Sequence, residues 1–187
     1  MDLKRVGVIG VGHLGQHHAR VYTELLGAHL VGVVDQNESR AAAIGENLGV
    51  PWFTEIDDFI ERAAPEAVSV VVPTSMHFEI ARKALKSGIH VLIEKPVTTT
   101  VNEAEQLLRI AAESDLVLQV GHIERFNSAV QYISKIIHEP LFLQSRRLGP
   151  YSPRISDVGV VLDLMIHDID IILSLVRSEI TGISATG

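Results

Sequence analysis

The chain has 187 residues, 47% of them hydrophobic, with 16 basic and 23 acidic side chains and a formal net charge of −7. So much apolar sequence allows a large buried core, one full domain and part of a second, and excludes a disordered chain. The acidic balance excludes tracking of nucleic-acid phosphates as the main function, and the lack of cysteine excludes disulfides, thiolate metal sites and thiol nucleophiles.

No apolar run approaches the ~20 residues that span a bilayer. The opening Met1-Asp2-Leu3-Lys4-Arg5 leads directly into an apolar segment rather than a signal-peptide pattern. A cytoplasmic protein that does not enter a membrane is the expectation.

Arg5 to Gly10 reads as a first buried strand. Gly10, Gly12 and Gly15 then form G-x-G-x-x-G, and a helix is predicted from there to about Leu26. The glycines have separate tasks: a tight turn, close backbone approach to a pyrophosphate, and close packing of helix on strand. The helix N-terminus offers N–H groups and the positive end of its dipole to the phosphates. His13 and Leu14 lie within the turn and are expected to line the same cleft. A second strand, His29 to Val34, ends in Asp35, 20 residues after Gly15, where a carboxylate accepts hydrogen bonds from an adenosine ribose. A carboxylate there repels a 2′-phosphate, so NAD is favoured over NADP, although Arg40 lies within reach. The alternative is a structural glycine turn with Asp35 capping the next helix.

A helix from about Ser39 to Leu48 stops at Gly49, and Pro51 to Thr54 forms a short strand. Asp57 to Ala63 is helical, and Ala67 to Val72 is another buried strand ending at Pro73-Thr74. A helix from about His77 to Ser87 leads to the strand that carries Glu94-Lys95-Pro96. Pro96 stops that strand and holds Lys95 extended. Pro73, Thr74, His77, Glu94 and Lys95 lie past carboxyl ends of strands, where open parallel sheets bind ligands; they complete the expected cofactor-binding set. Lys95 could equally be a surface residue, and the histidines at 13, 17, 18, 77 and 122 could be surface or satisfied core residues. Thr100 and Glu103 have capping-box spacing before a helix to Ser114. Leu116 to Gly121 is a sixth strand. Unbroken apolar strands alternating with helices predict a doubly wound parallel sheet of α/β class over residues 1–120.

Beyond Gly121 the pattern changes. His122 to Asn127 places polar groups past a strand end, a helix follows over about Ser128 to His138, and Leu141 to Arg147 reads as a strand. Val158 to Val176 reads as a helix apolar almost all round and therefore buried. Its Asp163, His167, Asp170 and Ser174 fall at i, i+4, i+7 and i+11, one stripe on one face, with Asp168 off it. The stripe is either a satisfied internal network or a set of side chains aimed at a wet cavity. A zinc site lacks an evident third ligand, so no metal is expected. A last strand is predicted over about Glu179 to Thr186.

With Gly10-Val-Gly12-His-Leu-Gly15, Glu94-Lys95-Pro96 and Asp163-x-x-x-His167 in order, the chain resembles the glucose-fructose oxidoreductase, inositol dehydrogenase and rhizopine-catabolism family along nearly its whole length. The segments Gly121 to Asn127, Tyr151 to Arg154 and Asp163 to Asp170 are most similar to the branch that oxidises the 3-hydroxyl of UDP-N-acetylglucosamine or related UDP-sugars. The resemblance implies a Rossmann domain followed by the beginning of an α+β substrate domain over residues 121–187. It implies NAD as cofactor, a UDP-linked sugar as substrate, and a homo-oligomer at full length. Lys95 would contact the substrate hydroxyl, His167 would act as general acid/base, and Asp163 would position it or the sugar. Glu94 would fix the local geometry beside a cis Lys95–Pro96 bond. Arg125, Asn127 and Arg154 would join Lys95, Asp163 and His167 around the substrate; Arg146 and Arg147 are further candidate cations for the diphosphate. The sequence departs from the family at Met165, where many members have glycine, and in length, since the wide antiparallel sheet that follows this helix in the family is missing. A truncated chain is the expectation.

Overall fold

The computed structural model describes residues 3–148, 159–176 and 178–186. The chain divides into two units, Met1–Gly121 and His122–Gly187, each described by itself.

The first unit is built on strands β1 (Lys4–Ile9), β2 (Ala28–Val34), β3 (Trp52–Phe53), β4 (Ala67–Val70), β5 (His90–Ile93) and β6 (Leu118–Val120). Helices α1 (Gly15–Glu24), α2 (Glu38–Leu48), α3 (Ile56–Ala63), α4 (Thr74–Lys86) and α5 (Val101–Glu113) connect them in turn. All the ladders are parallel, in the order β3-β2-β1-β4-β5-β6. The order reverses between β1 and β4, which leaves a crevice at their carboxyl ends, the place where such sheets take ligands.

The strands read as unbroken apolar runs because both sheet faces are covered. One core cluster joins Val31, Val68 and Val91 to Phe59 of α3, Leu85 of α4 and Leu107 of α5. A second joins Val8, Leu30 and Val33 to Ala19 of α1. Phe59 is fully buried because β1 and β2 make room for it: a Cβ at Gly7 would strike its ring, and one at Gly32 would come within 3.2 Å of it. Helix ends follow local chemistry. Asn37 caps α2 by accepting from the Arg40 N–H at 2.9 Å, and Gly49 ends it at φ +67, a left-handed conformation that glycine adopts without penalty. The capping box expected at Thr100 and Glu103 forms.

The second unit holds a 3-10 turn (Ile123–Phe126), α6 (Ser128–Ile136), a π-helical turn (Val161–Met165) and α7 (Ile166–Leu175). Three expectations are corrected here. Leu141 to Arg147 and Glu179 to Thr186 form no strand, because a strand needs a ladder partner and none lies beside them among the described residues. The apolar helix is not buried: Val160, Val161, Met165 and Leu173 are exposed, while Asp170 is buried. Apolar composition shows what a helix must cover, not what covers it. The charged stripe is also not one regular row, since Asp163 lies in the π turn, where the 3.6-residue period slips.

Candidate functional site

The glycine turn follows β1. Gly10 has φ +86, and a Cβ there would strike the Val71 carbonyl oxygen; a Cβ at Gly15 would strike the carbonyl oxygen of Gly10. These two glycines bring the start of α1 onto the ends of β1 and β4. Gly12 differs: a Cβ there would meet only Arg40 Nη1, at 4.0 Å. Its backbone faces open space, a cradle that a side chain would fill. Helix α1 starts behind it with no side-chain cap and no acidic residue in its first turn, so the positive end of the helix is left uncompensated by side chains. His13 and Leu14 are exposed at this turn, and the His13 ring meets that of His17 edge-on at 5.8 Å.

Asp35 stands at the end of β2. Its Oδ2 accepts from the Val11 N–H at 3.0 Å and its Oδ1 from the Asn37 N–H at 2.9 Å, so the carboxylate is tied to the glycine turn. Arg40 Nη1 lies 3.3 Å from Oδ2. The carboxylate beside an open backbone cradle fits the adenosine end of a dinucleotide.

At the end of β5, the buried Glu94 carboxylate accepts from the Lys95 N–H at 3.3 Å and lies 3.1 Å from His18 Nε2. His18 Nδ1 is 3.1 Å from Ser69 Oγ, which is 2.8 Å from the Tyr22 hydroxyl. A buried polar chain therefore ties α1 to β4 and to the Glu94–Lys95 turn. Gly121 belongs to the same arrangement, since a Cβ there would be 2.6 Å from Glu94 Oε1. The Lys95–Pro96 bond is cis, and Lys95 is half-buried. Sequence reasoning missed Ser69, Tyr22 and the role of His18. The signal was present: His18 and Tyr22 are four apart on the helix after the glycine turn, and Ser69 is the one hydroxyl inside a buried strand.

Pro73 is exposed and Thr74 buried at the start of α4. His77, expected to contact the cofactor, is 1% exposed. Its Nδ1 lies 2.9 Å from the Pro96 carbonyl oxygen and its Nε2 2.9 Å from that of Val72. Each ring nitrogen faces a backbone carbonyl oxygen and the ring N–H donates to one of them, so the buried His77 braces these loops and has no exposed ring atom to offer a ligand.

In the second unit Arg125 has a carboxylate partner, while its side chain stays 52% exposed. Its guanidinium forms a two-pronged pair with Asp170, at 2.7 Å and 2.5 Å, and His122 Nδ1 is 3.8 Å from the same carboxylate. The Arg125 hydrogen bonds hold the Asp170 carboxyl below the usual range against the opposing effect of burial, with help from His122. Arg147 and Ser145 likewise donate to Asp168, and the Arg147 hydrogen bonds lower its pKa. Asn127 is an exposed helix cap: its side-chain oxygen accepts from the Ala129 N–H at 3.0 Å. Asp163 and His167 are half-buried. Arg154 lies outside the described residues. Among the described residues no cluster of three His, Asp or Glu side chains could hold a metal ion, and no helix is long and apolar enough to cross a membrane.

A parallel sheet with a glycine cradle at its switch point and a carboxylate closing the second strand defines a dinucleotide-binding domain of Rossmann type. Residues 4–122 match the model of the oxidoreductase family with an NAD-binding Rossmann fold. The chain belongs to that family, the one its sequence motifs resemble. It is 44% identical over 184 residues to the UDP-N-acetylglucosamine 3-dehydrogenase of Acidithiobacillus ferrooxidans, covering 98% of this chain and 58% of that protein. It is 31% identical to the scyllo-inositol 2-dehydrogenase (NAD(+)) of Bacillus subtilis, covering 98% of this chain and 57% of the relative. A solved structure of the Acidithiobacillus ferrooxidans UDP-N-acetylglucosamine 3-dehydrogenase superposes with a TM-score of 0.88 at 43% identity, covering 96% of this chain and 58% of that one. The chain thus spans a little under three fifths of the length of these relatives.

Proposed function

We propose that this chain carries the cofactor-binding part, and the named catalytic side chains, of an NAD-dependent dehydrogenase that oxidises the 3-hydroxyl of a UDP-N-acetyl-hexosamine. The observation that carries this reading is the 44% identity, over 98% of the chain, to a relative named for that activity. The open backbone at Gly12 and the pinned Asp35 carboxylate support the cofactor half of it.

Oxidising a secondary alcohol removes a proton from oxygen while a hydride leaves carbon. Bound NAD supplies the hydride acceptor. The chain's own groups handle the proton. The Lys95 ammonium lowers the energy of the developing alkoxide, and the His167 imidazole takes the proton as general base. Asp163 positions His167 or the sugar. In this reading Glu94 is a positioning residue: buried and bonded to the Lys95 N–H, it sets the direction in which Lys95 leaves the sheet. A cytoplasmic location, a small-molecule partner and a homo-oligomer at full length belong to the same proposal.

The test is a thermal melt with NADH and UDP-N-acetylglucosamine, alone and together. A ligand that binds only the folded state raises stability by RT ln(1 + [L]/Kd). NADH should raise the melting temperature, and the UDP-sugar should raise it further. A shift with scyllo-inositol and none with the UDP-sugar would move the substrate to the cyclitol class of the second relative. No shift with NADH would overturn the cofactor assignment.

A further inference from the structure

Glu94 follows β5 with a buried carboxylate whose two oxygens have different partners. Oε2 accepts from the Lys95 N–H at 3.3 Å, a long contact that holds little by itself. Oε1 lies 3.1 Å from His18 Nε2. A carboxylate only accepts, so His18 Nε2 carries the hydrogen of this bond. Gly121 bounds the same carboxylate: a Cβ there would stand 2.6 Å from Oε1 and 3.0 Å from Oε2. The shorter His18 bond therefore does most to decide how the carboxylate is turned, and so how the Lys95 N–H is met.

The His18 ring is itself held. Its Nδ1 is 3.1 Å from Ser69 Oγ, which is 2.8 Å from the Tyr22 hydroxyl. With one hydrogen on the ring, the chain has one consistent direction: Tyr22 donates to Ser69, Ser69 to His18, and His18 to Glu94. His18 and Tyr22 stand one turn apart on α1. Ser69 is fully buried in β4, in register with Leu92 of β5, two residues before Glu94. These anchors all lie on regular structure, which holds a side chain more closely than a loop does. The side chains of His18 and Glu94 are 15% and 8% exposed, so water competes little for their bond. The chain of four side chains ends on the backbone of Lys95.

We infer that His18 is a positioning residue for Lys95: through Glu94 it fixes the backbone from which the ammonium reaches the substrate hydroxyl, and Ser69 and Tyr22 fix His18. This rests on the dehydrogenase reading and adds three side chains to it.

The experiment measures kcat for sugar oxidation with NAD, and the Kd of NADH by fluorescence, in the protein as its gene encodes it. The substrate is UDP-N-acetylglucosamine, or scyllo-inositol if only that is turned over. His18→Phe, His18→Gln and Ser69→Ala are compared with wild type well below every melting temperature. Phenylalanine keeps a ring and removes both nitrogens, so kcat should fall by about tenfold to a hundredfold. The NADH Kd should stay within about threefold, since the loss falls on the transition state. Glutamine returns an amide N–H to Glu94 and should bring kcat back to within about threefold of wild type. Ser69→Ala takes the donor from Nδ1 and should lower kcat by about threefold to tenfold, the worth of one hydrogen bond.

Wild-type kcat in a folded His18→Phe protein would overturn the inference. So would equal losses in His18→Phe and His18→Gln, or an NADH Kd that rises as much as kcat falls, the mark of a merely structural role. If His18→Phe does not fold, Ser69→Ala decides: an unchanged kcat overturns the inference, and a fall in kcat with NADH binding kept supports it. A wild type that binds NADH and oxidises neither substrate would instead overturn the dehydrogenase reading, and the role of His18 with it.

Discussion

Gly12→Ala separates the cofactor cradle from the fold. Gly12 is not at positive φ, and its Cβ would meet only Arg40 Nη1, at 4.0 Å. Alanine should therefore cost the fold nothing. By reducing the freedom of the unfolded chain it should stabilise by about 0.4–1 kcal/mol, a rise of up to about 4 °C in the melting temperature of a chain of this size. The new methyl group, however, fills the space through which a pyrophosphate must approach the backbone to about 2.9 Å. NADH affinity should fall by about tenfold or more, since losing even one phosphate contact costs that much. Gly15→Ala is the contrasting case. Its Cβ would strike the carbonyl oxygen of Gly10, a backbone atom that cannot rotate away, and the cost should be about 1–3 kcal/mol. That lowers the melting temperature by about 2–12 °C, together with NADH binding. The assay is a thermal melt and an NADH fluorescence titration of both variants beside wild type. Wild-type NADH affinity in a stably folded Gly12→Ala protein would refute the cradle argument, because the methyl would then lie outside the cofactor's path.

Lys95→Ala, in the protein as its gene encodes it, should abolish turnover and keep NADH binding; turnover at the wild-type rate would remove Lys95 from the chemistry. His167→Asn should change the pH profile of the rate, and a constant ratio to wild type across pH would argue against His167 as the base. His18→Phe takes a partner from the buried Glu94 carboxylate and should lower stability by about 1–3 kcal/mol in urea unfolding; a loss below about 0.5 kcal/mol would show that Glu94 does not depend on it. Arg125→Ala strips the two-pronged donor from Asp170 and should cost about 2 kcal/mol, but much less in an Asp170→Asn background, a coupling that a double-mutant cycle measures. The folded pKa values of Asp168 and Asp170 are lowered, by Arg147 and Arg125 respectively. Their stabilisation is therefore fully present above the ordinary aspartate value near 3.8 and is lost as pH falls through the lowered folded values. Acid unfolding that does not change on Asp170→Asn would contradict this.

The sequence by itself determined the first unit and most of its cofactor corner. Strands buried on both faces must be apolar throughout, and helices between them must carry caps and stops, so local pattern was sufficient for a parallel sheet. The glycine spacing and Asp35 were legible for the same reason: a tight turn and a strand end are local events. Tertiary structure alone decided which side chains meet across long separations. Gly12, and not Gly10 or Gly15, opens on space, because Val71 and the folded-back turn occupy the other two positions. His77 is drawn inward by carbonyl groups of two loops, His18 reaches Glu94 across 76 positions, and Arg125 is claimed by Asp170 across 45. Residue type alone describes each of these as a histidine or arginine near a strand end. Only packing shows whether its hydrogen-bonding groups are already used. In the second unit the sequence pattern of the extended segments and of α7 is that of strands and a buried helix, yet a ladder and a core are made by two partners. The pattern of one side of a contact does not contain the other.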